Sequence, residues 1–202
     1  MNASATGMPM HPPDGASYLF DPGALCLELL TTGGPGELAR WEALHAPDDL
    51  RAWLAACRLR LDPSHVRVGE GDVADARRLR DAVLRVTRAA AHGKALPGQD
   101  VAEVNRFAAK PPLAPEMTPD GTASWAWPAD APQALSTVAR DAVELFTGRF
   151  ADRVRECGAH DCPLLFVDTS RPGRRRWCAM ERCGNREKVR ALRDRRRRPE
   201  PG

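Results

Sequence analysis

Four cysteines, Cys157, Cys162, Cys178 and Cys183, stand in the spacing C-x4-C-x15-C-x4-C, and an arginine-studded run follows them directly. No other feature constrains the fold as much. Two short Cys pairs about fifteen residues apart suit one tetrahedral zinc ion, because each pair forms a knuckle presenting two thiolates and the loop between brings the chain back to the metal. Four thiolates close the tetrahedron, so His160 reads as a bystander or an outer donor, and no position is left open for a catalytic water. The competing reading, two disulfides, needs an oxidising compartment. The segment 1–16 is rich in Pro, Ala, Ser and Gly, without a basic start or an apolar core, and reads as a flexible leader and not as a signal peptide. No stretch reaches the roughly 20 apolar residues that cross a bilayer. A reduced, cytoplasmic setting follows, with Cys26 and Cys57 as buried thiols.

Charge divides the chain in two. The net charge of +3 hides a balance of +10 over residues 171–198 and −6 over residues 1–170. One end attracts polyanions, and the acidic part has another task.

Helical periodicity dominates residues 17–155. Leu25–Leu30 is an apolar run compatible with helix or strand, ended by Gly33-Gly34-Pro35-Gly36. Pro47 opens a short amphipathic helix through Leu50, Trp53, Leu54 and Cys57. A longer helix spans about Asp72 to His92, and a third spans Asp100–Ala109. Between Leu113 and Trp127 a Pro119-Asp120-Gly121 turn and alternating residues predict a short β-hairpin, whose Trp125 and Trp127 read as packing residues. A last helix is expected from about Pro132 to Val154. The histidines His45, His65 and His92 are isolated, and residues 1–150 contain no nucleophile elbow, phosphate loop or triad, so the chain does not read as an enzyme. The expected class is α+β and mostly helical: leader 1–16, α-rich domain 17–155, zinc module 156–198 and tail 199–202.

Within the zinc module, Leu164–Asp168 and Arg174–Trp177 are predicted to pair as strands around the turn 170–173. A helix then runs from Cys183 or Gly184 to about Arg197, which makes a treble-clef order. Gly184 permits close backbone approach, and Asn185 caps the helix or touches a base. Alternation along a strand puts Arg174 and Arg176 on one face and Arg175 with Trp177 on the other. On the helix, Arg186, Arg190, Arg193 and Arg197 form one basic stripe, while Lys188 and Arg195 point elsewhere. With Arg174, Arg175 and Arg176, the stripe is the candidate nucleic-acid surface, able to neutralise roughly six phosphates.

Cys157-Gly-Ala-His-Asp-Cys162, Leu165–Ser170, Arg174-Arg175-Arg176-Trp177-Cys178 and Cys183-Gly184-Asn185-Arg186 together resemble the CGNR zinc finger. In that family the finger follows an N-terminal ABATE domain, and the proteins are regarded as stress-responsive transcription regulators. Where the family tends to carry an Asp and an Asn-Thr near the N-terminus, this chain has Glu28 and Thr31-Thr32. The resemblance implies one structural zinc on the four cysteines and a basic helix that contacts nucleic acid. It also implies an N-terminal domain that senses an unidentified ligand or dimerises, with its ligand-binding residues unassigned. The expected partner is therefore DNA, with no membrane. RNA or ribosome binding is the alternative, since arginine-rich tails serve structured RNA equally well.

Overall fold

The structure, a computed structural model, describes residues 7–11 and 17–197, with side chains for all of these except 191 and 194–197. Helices and helical turns make up about half of it, chiefly α1 (Leu25–Leu29), α2 (Pro47–Ala56), α3 (Glu70–Ala91), α4 (Gly98–Ala108), α5 (Ala131–Thr147) and α6 (Asn185–Arg197). Four two-stranded pairings accompany them: β1 (Met8–Met10) with β2 (Tyr18–Phe20), β3 (Val66–Arg67) with β6 (Ala129–Asp130), β4 (Pro115–Met117) with β5 (Ala123–Trp125), and β7 (Val154–Glu156) with β8 (Leu165–Val167). Only β3 and β6 run parallel.

The helix starts follow from local chemistry. In α2 the Asp49 carboxylate accepts the backbone N–H groups of Ala46 and His45, both at 2.8 Å, and Pro47 fills the first turn. In α5 the Asp130 side chain accepts from Gln133 N at 3.0 Å while the Gln133 side chain accepts from Asp130 N at 3.1 Å, a reciprocal box that satisfies two orphan donors. Helix α3 is the spine. Its Ala76, Leu79, Val83 and Val86 are buried, at three- and four-residue steps, and α1, α2, α4 and α5 pack around it. One buried cation is built in. Arg80, 2% exposed, donates to both carboxylate oxygens of Glu42 at 2.8 and 2.9 Å, to Asp81 at 3.0 Å and to the Thr32 carbonyl at 3.3 Å. That pairing pins the loop 33–42 against the spine. Gly33, at φ +115°, makes the loop possible, since a Cβ there would sit 2.8 Å from Glu42 Cα.

Several expectations change. First, part of the segment 1–16 is ordered chain: Met8–Met10 pairs antiparallel with Tyr18–Phe20, and Met8 is buried, because this short alternating stretch has apolar side chains to bury. The rest of that segment lies outside the described residues. Second, the last helix of the α-rich part ends at Thr147, and Val154 belongs to β7 instead; beyond Gly148 the chain turns and extends. Third, Arg174–Trp177 is not a strand. The partner of Leu165–Val167 is Val154–Glu156, in the register Val154↔Val167, so the first cysteine pair lies in the loop of this hairpin. Arg174–Trp177 carries side chains that stack and hydrogen-bond locally, and a ladder would compete with those bonds. The β4–β5 hairpin forms as expected, and Trp125 donates to the Leu59 carbonyl at 2.9 Å while packing on the core, but Trp127 is exposed and meets the His65 ring, because it lies past the end of the strand.

The hairpin β7–β8 joins the two parts. Val154 and Val167 lie in the main core, Leu165 packs with Leu38 and Leu84, and His92 at the end of α3 bonds Glu156 at 2.8 Å. Val167 N also donates to the Pro22 carbonyl at 2.8 Å, which ties the approach to α1 against the same strand. The zinc module therefore starts from a rigid base.

Candidate metal centre and basic helix

Cys157 follows β7 directly, Cys162 closes the knuckle before β8, Cys178 ends the arginine segment, and Cys183 sits in a π-helical turn, Met180–Gly184, that runs straight into α6. The four sulfurs lie within 4.8 Å of one another. Cys178 Sγ is 3.4 Å from Cys183 Sγ and 3.6 Å from Cys162 Sγ. A tetrahedral ion with Zn–S bonds near 2.3 Å needs sulfur–sulfur edges of about 3.8 Å, so the cage fits one zinc ion. All six cysteines are free thiols, which removes the disulfide reading. Burial in the main core pushes the Cys57 thiol up to about 12, so it stays protonated and inert, apart from this cluster.

The donor chemistry also fits a dication. Hydrogen bonds from Cys162 and then Cys178 hold the Cys157 thiol far below its ordinary range, whereas sharing a site with that thiolate raises Cys162 and Cys178, and desolvation raises Cys183. Four sulfurs so close cannot all ionise unaided. A zinc ion resolves the conflict because it binds the deprotonated form of each. Two further groups support negative sulfur: Cys178 N–H points at Cys157 Sγ from 3.4 Å, and the Arg186 guanidinium lies 3.6 Å from Cys183 Sγ. Sequence spacing identified the ligands; it did not identify Arg186 as a neighbour of the thiolates.

Glycine and asparagine after Cys183 have roles other than those expected. A Cβ on Gly184 would meet Met180 Sδ at 2.5 Å and Trp177 Cδ1 at 3.1 Å, so the glycine makes room for side chains over the π turn. Asn185 is exposed and does not cap: the helix already continues from the π turn, and its Nδ2 donates back to the Glu181 carbonyl at 3.3 Å.

The candidate arginines separate into distinct environments. Arg175 is committed inward. Its guanidinium stacks 4.2 Å over Phe166, and it donates to the carbonyls of Trp177 at 3.1 Å, Asp21 at 3.3 Å and Cys178, while its backbone N–H bonds Asp168 at 2.8 Å. Asp168 is fully buried. Burial raises its carboxyl, but the bonds from Ser170 and Arg175 outweigh that and hold it below the usual range. Arg174 is exposed with no ion pair among the described residues, and exposed Arg176 lies 4.9 Å over the Trp177 ring. Arg186 is half-buried and pairs with Asp161 at 2.6 Å. Arg190 is exposed and donates to His160 Nδ1 at 2.6 Å, with Glu187 at 3.9 Å. His160, Asp161 and Glu187 also cluster tightly enough to suggest a cation site, but these two guanidiniums already neutralise them.

Arg186, Arg190 and Arg193 do share one face. Together with Arg182, Asn185 and Val189 they line an open groove along the first turns of α6. Arg182, whose guanidinium lies 5.0 Å over the Tyr18 ring, is a member of that face that periodicity did not reveal, because it precedes the α-helix. Lys188 is exposed; Arg197 lies in the helix, and its side chain and that of Arg195 fall outside the described residues.

A family model described as "Putative stress-induced transcription regulator" (ABATE) matches residues 23–149, and one for the CGNR zinc finger matches residues 153–196. No curated protein matches the chain. Neither matched family is an enzyme family. Among the described residues no helix is long and apolar enough to cross a membrane.

Proposed function

Since the chain belongs to the ABATE family and ends in a CGNR zinc finger, we propose that it is a zinc-dependent, DNA-binding transcription regulator of the cytoplasm. The observation that carries this reading is the junction of the metal cage with α6: Cys183 is a cage sulfur, and the basic helix begins two residues later. A helix of 13 residues is about 20 Å long, enough to lie in a major groove. Its first turn is held by the metal and its guanidiniums emerge at a fixed angle, which is what register on a duplex requires. Arg174, Arg176, Arg190 and Arg193 are exposed cations offered to phosphates and guanine edges, and exposed Asn185 would exchange its bond to the Glu181 carbonyl for one to a base. In this reading Arg175 and Arg186 position the module more than they touch DNA. The α-rich domain senses an effector or pairs two copies. One small finger covers too few base pairs for a useful operator alone, so a dimer bound to two half-sites is the expected assembly.

The test is selection from a random duplex library with the zinc-loaded full chain, followed by affinity for the selected duplex, scrambled duplex and a folded RNA at matched salt. A selected sequence bound at least about a hundredfold more tightly than scrambled duplex supports the operator reading. Equal or tighter binding to folded RNA without duplex preference would move the assignment to an RNA-binding protein.

A further inference from the structure

Between the α-rich domain and the zinc module lies a cavity of about 350 Å³. Leu30, Leu38, Leu84 and Leu165, which pack together, line part of it, and Phe20 and Leu164, from the cluster around the cysteines, line another part. Both parts are apolar. Two guanidiniums, Arg182 and Arg186, line the same space, against a single carboxylate, Asp161. The Arg186 Nη2 bonds that carboxylate at 2.6 Å, but its Nε–H is buried and has no acceptor among the described residues. A buried donor left unpaired is costly, and an acceptor bound beside Arg186 would relieve that cost.

We propose that this cavity binds a small amphiphilic anion, a carboxylate carried on an apolar chain or ring, with the carboxylate on Arg186 and the apolar body against the leucine cluster and Phe20. The volume lies at the lower end of small-ligand pockets, and an apolar lining with a few convergent polar groups is their usual make-up. A small hydrated anion fits poorly, because most of the wall offers it nothing in return for its water. The position gives the ligand a consequence. Arg186 belongs to the first turn of α6, one turn before Arg190, and it also lies beside Cys183 Sγ. An anion that recruits this guanidinium changes its hold on Asp161 and so biases the angle at which the basic helix leaves the metal cage. This regulatory half rests on the DNA-binding reading above; the binding half does not.

The binding half is tested by calorimetry on the zinc-loaded full chain with octanoate, octan-1-ol and acetate, in the absence of nucleic acid. Octanoate should bind once per chain, at least about tenfold more tightly than the alcohol, since a charge-assisted hydrogen bond is worth roughly 1.5–3 kcal/mol and each 1.4 kcal/mol is a factor of ten. Acetate should not bind measurably. Methyl NMR of the same sample should shift Leu30, Leu38 and Leu84, a readout that needs no variant. Ala43→Phe, at an exposed position lining the cavity, should weaken octanoate at least about tenfold with zinc content unchanged. Arg186→Gln should bring octanoate and octanol close to equal. No octanoate binding, equal binding of the alcohol in the wild type, or shifts confined to other methyls would overturn the site. For the regulatory half, octanoate should change the duplex dissociation constant several-fold in the wild type and not in Ala43→Phe, and DNA should change octanoate affinity by the same factor. An unchanged constant with intact octanoate binding refutes the coupling alone, and absence of duplex binding refutes the functional reading while leaving the ligand result in place.

Discussion

The salt dependence of duplex binding measures how many arginines are available to phosphates, and the structure revises that number. Counting basic side chains along the segment gives roughly six contacts and a slope of log affinity against log salt near −5. Arg175, however, is spent on Phe166 and three carbonyls, and Arg186 on Asp161 and the thiolates. Arg174, Arg176, Arg190 and Arg193 remain. In a chain truncated after Asp194, which removes the arginines 195–198 from the count, four contacts at about 0.9 counterion each give a slope near −3.6. Affinity should then fall by about 150-fold between 50 and 200 mM salt. Fluorescence anisotropy with a labelled duplex measures this directly. Arg193→Ala should flatten the slope by about 0.9, whereas Asp161→Asn, which releases Arg186 from its ion pair, should steepen it by a similar amount and tighten binding at low salt. A slope near −5 in the truncated wild type would show that the inward arginines reach phosphates after all. Salt-insensitive binding, or an Arg193→Ala slope equal to wild type, would refute the placement of the interface on α6.

Two further outcomes test the architecture. Cys178→Ser should drop the metal content from one zinc per chain to near zero by mass spectrometry of the metal, and should lose NMR dispersion for residues 157–163 and 170–197. The α-rich core with β7 and β8 should stay folded, because Val154 and Val167 are buried in that core and not in the cysteine cluster. Glu42→Gln should cost roughly 2–3 kcal/mol in urea unfolding at neutral pH, since it removes the bidentate one of the two carboxylates that pair with the buried Arg80 and leaves Asp81 alone. Burial opposes ionisation of Glu42, but the Arg80 bonds win and its folded pKa lies below 4.5. The wild-type advantage is therefore full above about pH 4.5 and fades as pH falls through the lower folded value, so a pH-independent difference would contradict the pairing.

Much of this was legible in the sequence because the signals were local. The cysteine spacing named the four sulfurs, and helical periodicity located α2, α3 and α4 to within two residues at each end. What failed was non-local. The strand Leu165–Val167 was recognisable, but its partner was not, since strand pairing depends on which segment the tertiary fold delivers alongside; the arginine segment was nearer in sequence and contained a turn, yet β7 arrives on the far side of the knuckle. The leader misled for a similar reason: Pro, Ala, Gly and Ser make up more than half of residues 1–16, and the apolar residues of Met8–Met10 matter only once Tyr18–Phe20 and the module give them a surface. Buried charge is hardest of all to foresee. Nothing in the sequence distinguishes Arg80 from the neighbouring Arg77, half-buried at 3.7 Å from the same Glu42, or from the exposed Arg78; only the fold turns Arg80 fully inward, where both Glu42 oxygens and Asp81 meet it.

The arginines carry the same lesson into function. Read as a charge run, Arg174, Arg175 and Arg176 are equivalent; in the fold the middle one holds Phe166, Trp177 and the residues before α1 together, while its neighbours face outward. Arg186 likewise combines three environments, the thiolate of Cys183, the carboxylate of Asp161 and the apolar junction cavity. Its Nη2 meets both the sulfur and the carboxylate while its Nε–H, on another nitrogen, has no acceptor among the described residues, a separation of donors that a lysine ammonium lacks. The residue that ends the Cys-Gly-Asn-Arg sequence thus touches the metal cage and the cavity from the first turn of α6.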